Sequence, residues 1–255
     1  MTATFGDGLQ WLEAVHAGAP FDILAIGPHP DDVELGAGGT LAAHVRRGLR
    51  VGILDLSRGE LASNGTPATR LEEAARAAAI LGVAARHNLG LPDGGLGPDP
   101  AQVRALARAL RAFRPRLVLV PYAPDRNPDH GGAALLIDRA LFAAGLHRYD
   151  AGLPPHRVEL AAAYFINDTV PPTFVIDVSD VYETKRRAIA AHASQFGPGG
   201  APTAINHPSF LAAIEARDRY FGSLVGAAYA EGFVLRNRPP RVASLTDLLP
   251  PASIS

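Results

Sequence analysis

Two short stretches of this sequence hold the side chains that could do chemistry. In "PHPDDVELGAGG", residues 28–39, His29 is followed closely by the adjacent carboxylates Asp31 and Asp32. In "YAPDRNPDHGG", residues 122–132, Asp125, Asp129 and His130 surround Asn127. Two imidazoles and a carboxylate are the kind of donor set a catalytic zinc takes, with a fourth place left for water. His29, Asp32 and His130 would make such a set. Asp31 would stay off the ion and accept a proton from the water, whose pKa the ion lowers to about 7. A plainer reading stands beside this one. An Asp after Pro at a strand end is a common helix N-cap, and a loop His is ordinarily solvated. The glycines of "GAGGT" (36–40) invite a phosphate cradle at a helix entrance. They follow "DDVEL" rather than the strand, and match neither a dinucleotide fingerprint nor a P-loop, so close helix–sheet packing is the expectation.

The elements that must bring these clusters together are legible as strand–helix alternation. Strand-like runs occur at "FDILAIG" (21–27), "RVGILDLS" (50–57), "HNLGL" (87–91) and "RLVLVPY" (116–122). Later runs are "ELAAAYFI" (159–166), "TFVIDVS" (173–179) and a short "AEGFVL" (230–235). Ala/Leu/Arg-rich helices are expected at 38–48, 68–82, 100–113, 131–144, 181–194 and 209–225. The pattern predicts an α/β fold: a Rossmann-like, open, mostly parallel sheet with helices on both faces, in a single domain. With strand order 3-2-1-4-5, the ends of strands one and four are neighbours at the point where the order reverses. Ligands bind at that point in open parallel sheets. Asp32 and His130 would then face each other across one crevice. The domain is expected over 1–235 and a Pro-rich tail over 236–255. The Gly/Pro-rich stretch 196–208 is long enough for a lid or an oligomer contact.

Composition narrows the function classes. The 255 residues are 47% hydrophobic and 19% charged, with a formal net charge of −1. That balance gives no basic face for nucleic acid or for an anionic membrane. The absence of cysteine removes disulfides, thiolate catalysis and Cys-type zinc sites. No signal-peptide pattern opens the sequence and no apolar run approaches the ~20 residues of a membrane span, so a cytoplasmic protein is expected.

The two motifs, taken together, resemble a known family. "PHPDDVELGAGGTL" followed by "NPDHGG" is similar to the zinc-dependent PIG-L/LmbE-like deacetylases, which remove the acetyl group from N-acetylglucosaminyl compounds. "SRGELASNGTPATRLEEAARAAAILG" (57–82), "LPDGGL" (91–96), "PTFVIDVSDVYETKRRAIAAHASQF" (172–196) and "EARDRYFGSLVGAAYAEGF" (215–233) resemble its bacillithiol-biosynthesis branch, the N-acetylglucosaminyl-malate deacetylases. The resemblance implies an LmbE-like fold and one Zn²⁺ per chain on His29, Asp32 and His130. It implies Asp31 as general base, Asp129 as the aspartate that orients the catalytic histidine region, and Arg70 as a sugar-binding arginine. Arg157 falls near a further substrate-contacting arginine, and Arg126 or Arg157 would suit a malate carboxylate. Relatives often form hexamers, so a homo-oligomer is implied.

One position departs from the family pattern. The family usually reads His-Pro-Asp-His where this chain reads "NPDH", so Asn127 replaces the histidine that polarises the amide carbonyl. An Asn amide can donate a hydrogen bond to a developing oxyanion but cannot deliver a proton. Asp31 would then act as both base and acid. Two other readings remain: a phosphoesterase, for which a second metal would need more carboxylates, and a metal-binding relative with weakened catalysis.

Overall fold

The computed structural model describes residues 11–236, together with 239 and 242–244. Five strands run parallel: β1 (Ile23–Gly27), β2 (Val51–Ser57), β3 (Ala85–Leu91), β4 (Leu117–Pro121) and β5 (Leu160–Tyr164). Two antiparallel strands complete the sheet, β6 (Phe174–Asp177) and β7 (Ala230–Arg236). The order is β3-β2-β1-β4-β5-β7-β6, so the expected order 3-2-1-4-5 is found. β1 lies at the reversal, with Ile23 opposite Val51 on one side and Leu117 on the other. All of β1 and β2 are buried, which is why both read as near-continuous apolar runs.

Helices cover both faces. On one side α1 (Trp11–Ala17), α4 (Pro100–Phe113) and α5 (Pro128–Ala144) enclose a core around Leu24, Ile26, Leu106, Phe113 and Ile137. On the other, α2 (Asp32–Arg46), α3 (Pro67–Leu81) and α6 (Tyr182–Ala190) pack over Ile23, Ala25, Ile53 and Tyr164. α7 (Ala193–Phe196) and α8 (Pro208–Ser223) complete the helices. Four helices begin with a capping residue followed by Pro: Thr66-Pro67, Asp99-Pro100, Asn127-Pro128 and His207-Pro208. That pairing satisfies an orphan N–H and presets the first helical φ.

Two expectations need correction. The helix expected from 38 starts at Asp32, so "GAGG" is helix interior rather than a turn. A Cβ on Gly36 would lie 2.2 Å from the Tyr164 ring and 2.6 Å from the Phe165 carbonyl. The glycines therefore admit close helix–sheet packing and form no phosphate cradle. The helix expected over 181–194 is α6 and α7, broken at Ala191–His192. The stretch 196–208 is tied to the 61–64 segment, where Asn64 donates to the Ala201 carbonyl at 2.9 Å and accepts from its N–H at 2.7 Å. Most of the expected tail lies outside the described residues. Among the described residues, no helix is long and apolar enough to cross a membrane.

Candidate active site

Every parallel strand delivers residues to one cavity of about 510 Å³ at its carboxyl end. β1 leads into His29, Asp31 and Asp32, and β4 into Arg126, Asn127, Asp129 and His130. β2 leads into the 61–64 segment, β3 into Asp93 and Gly94, and β5 into Ile166 and Asn167.

His29, Asp32 and His130 converge. His29 Nδ1 is 3.0 Å and His130 Nε2 3.4 Å from the same oxygen, Asp32 Oδ2. Donors in a tetrahedral zinc shell, each about 2.0 Å from the ion, are about 3.3 Å apart. The second nitrogen of each ring is also engaged. His130 Nδ1 is 3.0 Å from Asp125 Oδ1, and His29 Nε2 is 3.1 Å from Asp93 and 3.4 Å from Asp129. Carboxylates in those places favour protons on the outer nitrogens, which leaves the inner nitrogens, beside Asp32, as the ones to ligate an ion. The donor chemistry and its supports therefore fit a zinc ion.

The charges point the same way. Burial disfavours the imidazolium form of His130, yet Asp32 and Asp125 outweigh it and push its pKa up to about 9. Burial likewise lowers His29, but Asp129, Asp32 and Asp93 raise it well above the ordinary value. Burial works to raise Asp32, and the two imidazoles beside it hold it well below the usual carboxylate range. Such a nest of negative charge, satisfied by two protons, is suited to a divalent cation.

Asp31 is distinct from these three converging donors. It occupies the N-cap position of α2, yet its side chain makes no cap hydrogen bond. Its backbone has φ of 126°, a left-handed value costly for a residue with a Cβ and characteristic of functional sites. Its carboxylate accepts instead from Arg70 at 3.1 Å. Burial pushes its pKa up to about 6, with Arg70 opposing and Asp32 adding to the rise. A carboxylate poised there suits proton transfer near neutrality. The plainer N-cap reading is not met by the Asp31 side chain; Asn127 caps α5 instead, its Oδ1 accepting from the Asp129 N–H at 3.0 Å.

A model of the PIG-L family, described as GlcNAc-PI de-N-acetylase, matches residues 24–141. The diacetylchitobiose deacetylase of Thermococcus kodakarensis is 35% identical over 228 residues, covering 82% of this chain and 81% of that one. The chain belongs to the PIG-L/LmbE-like deacetylase family. It is accordingly an amidohydrolase. A conserved protein of Thermus thermophilus has a solved structure that superposes with a TM-score of 0.80 at 43% identity, covering 88% of this chain and 98% of that one. The Pyrococcus horikoshii N,N'-diacetylchitobiose deacetylase, solved with an inhibitor, gives 0.75 at 25% identity over 94% of each chain.

Within this LmbE-like frame the arginines divide. Arg70 lines the cavity but is buried, donating to the Pro30 carbonyl at 2.8 Å, the Gly59 carbonyl at 3.2 Å and Asp31. Its terminal nitrogens are engaged by Asp31 and the two carbonyls while it lines the cavity expected to take the sugar. Gly59 makes that possible, since a Cβ there would lie 1.7 Å from the guanidinium. Arg126 lies at the cavity mouth, its guanidinium 3.0 Å from Asn167 Oδ1. Arg157 is exposed beside Gly145, just past the C-terminal end of α5. That is about 22 Å of helix from His130, and Arg157 does not line this cavity.

Asp129 accepts from the Gly94 and Leu96 N–H groups at 2.7 and 3.2 Å and meets His29 rather than Asn127 through its side chain. The sequence alone assigns no role to Asp93, Asp125 or Asn167. Asn167 donates to Asp125 from both its backbone N–H and its amide, at 3.1 and 2.9 Å. A signal exists for Asp93 and Asn167: each follows the end of a parallel strand, as His29 does.

Proposed function

We propose that the chain hydrolyses the acetamide of an N-acetylglucosaminyl compound, releasing acetate and the free amine. The observation that carries this reading is the convergence of His29, Asp32 and His130 on one point beside a buried Asp31 of raised pKa. Zinc, when bound to these three residues, supplies the Lewis acid that activates water and polarises the amide carbonyl. Asp31, held by Arg70, takes the proton from the attacking water and passes it to the departing amine. Asn127 lines the cavity and spends its carbonyl oxygen on the α5 cap, so its Nδ2–H is the donor it has to offer a substrate. Donated to the carbonyl oxygen as charge develops there, such a bond is worth about 2.7–4 kcal/mol. The 61–64 and 203–205 segments line the cavity that would take the acetamide.

The finer substrate we infer is N-acetylglucosaminyl-malate, a substrate of bacillithiol biosynthesis. Its support is Arg126 at the mouth, a planar cation suited to a carboxylate, and the similarity of the segments after residue 57 to that branch. The name of the 35% identical relative favours a second reading, a disaccharide such as diacetylchitobiose. Acetate release should be measured from both compounds and from N-acetylglucosamine, with and without a chelator. The expected result is chelator-sensitive release that zinc restores, fastest with the malate compound. Release indifferent to metal removal would overturn the reading, and preference for the disaccharide would replace the malate assignment alone.

A further inference from the structure

We infer that Arg217, on α8 and outside the cavity, is a positioning residue that fixes the spacing between the two halves of the metal site. The inference rests on the reading of His29, Asp32 and His130 as metal ligands.

Arg217 donates to three backbone carbonyls that belong to two separate segments. Nη2 reaches the Leu35 carbonyl at 2.5 Å, and Nη1 reaches those of Phe165 and Ile166 at 2.9 and 3.2 Å. Leu35 lies in the first turn of α2, with its N–H on the Asp31 carbonyl at 3.1 Å. One end of the contact is therefore a single turn from Asp31 and Asp32. Ile166 is bonded to Asn167, which holds Asp125, which holds His130 Nδ1. The other end is thus linked to the second imidazole through two hydrogen bonds. Both Leu35 and Ile166 line the cavity, and Arg217 does not.

Arg217 is itself held in place. Its Nε is 3.0 Å from Asp218 Oδ1, and Asp218 Oδ2 takes Lys185 Nζ at 2.5 Å and the Tyr182 hydroxyl at 3.3 Å. Lys185 continues to Glu231 at 2.7 Å. Glu231 accepts from the Gly39 and Thr40 N–H groups, at 2.9 and 2.6 Å. The network therefore returns to α2 one turn further along. Lys185, Asp218 and Glu231 are essentially inaccessible to solvent, and with Arg217 they carry two charges of each sign. A merely structural ion cluster would not need to finish on the two backbone segments that flank the metal ligands. Arg217 spreads its donors over three nitrogens, Nε on Asp218, Nη1 on Phe165 and Ile166 and Nη2 on Leu35. A lysine ammonium has three donors on one nitrogen and cannot span these separate partners.

The test compares wild type, Arg217→Lys, Asp218→Asn and Arg219→Ala, the last removing an exposed pair with Glu215 on the outer face of α8. Two readouts are taken besides turnover: zinc affinity by competition with a chromogenic chelator, and the visible d–d spectrum of the cobalt-substituted protein. Arg217→Lys should bind zinc at least about tenfold more weakly, shift the cobalt spectrum, and lower kcat more than it raises KM. Asp218→Asn should shift both readouts the same way, and Arg219→Ala should shift neither. If Arg217→Lys does not fold, Asp218→Asn decides. Wild-type zinc affinity and cobalt spectrum in the folded variants, with only the unfolding temperature lowered, would overturn the inference. Failure of the wild type to bind metal would instead overturn the reading beneath it.

Discussion

His130 Nδ1 and Asp125 Oδ1 lie 3.0 Å apart, five residues from one another along the chain. The contact fixes which ring nitrogen of His130 carries a proton and so which one faces Asp32. Replacing Asp125 by Asn should leave the fold intact and weaken zinc binding by about 10–100-fold, the usual effect of losing an outer partner of a ligand histidine. Chelator competition measures this directly, and unchanged affinity would show that His130 needs no such support.

Asp31 makes a different prediction. Asp31→Asn should retain zinc, because Asp31 is not one of the three converging donors. Acetate release should fall by about 10²–10⁴-fold, the range for loss of a general base. Substantial remaining turnover would assign the proton transfers elsewhere.

Asn127 has two roles that substitution can separate. Asn127→Asp keeps an acceptor for the α5 cap but removes the donor, so stability should hold while kcat drops by about 10²–10³-fold. Asn127→Ala should show the same loss of kcat and about 1 kcal/mol of destabilisation from the missing cap. Thermal unfolding and steady-state kinetics on the pair distinguish the two effects.

Zinc affinity should depend steeply on pH. In the metal-free protein the acidic neighbours of His130 push its pKa up to about 9, so below that value an incoming ion must displace a proton. Affinity should rise by about tenfold per pH unit for each proton released and level off above about 9. Isothermal titration in buffers of different ionisation enthalpy counts the protons. A flat profile from the ordinary histidine pKa of about 6.5 up to the shifted value would contradict the electrostatic reading.

Gly36 gives a purely structural prediction. A methyl group there meets the Tyr164 ring and the Phe165 carbonyl, so α2 must move away from β5. Gly36→Ala should cost about 3 kcal/mol, the upper part of the overpacking range, read as a lowered unfolding temperature.

The parts of this protein that are legible in the sequence share a cause. Strand runs such as "ILAIG" are buried on both faces, so their apolar pattern is uninterrupted, and cap–Pro pairs mark where α3, α4, α5 and α8 begin. His29, Asp32 and His130 can be placed because strand ends in a parallel sheet are predictable places. The sequence misplaces the start of α2 because the glycines at 36, 38 and 39 mimic a turn. Only the close approach of Tyr164, far along the chain, explains them. The surroundings of Arg70 and Arg157 are hidden for a related reason. An arginine in sequence shows its charge but not whether its donors are already taken, and Arg70 is committed to Asp31 while Arg157 lies beyond the far end of α5. Asp93 and Asn167 escape a sequence reading because a lone polar residue in a loop shows no periodicity.

The sheet order has a consequence for how the protein comes into being. β1 is complete and His29 and Asp32 are already made when 98 further residues separate Asp32 from His130. At about 5–20 residues per second of synthesis, that gap lasts about 5–20 s. Throughout it the nascent chain offers only His29 and Asp32, two of the three donors of the set. Cation capture must therefore wait for β4 to dock beside β1, which makes metal loading a late event, timed by the ribosome.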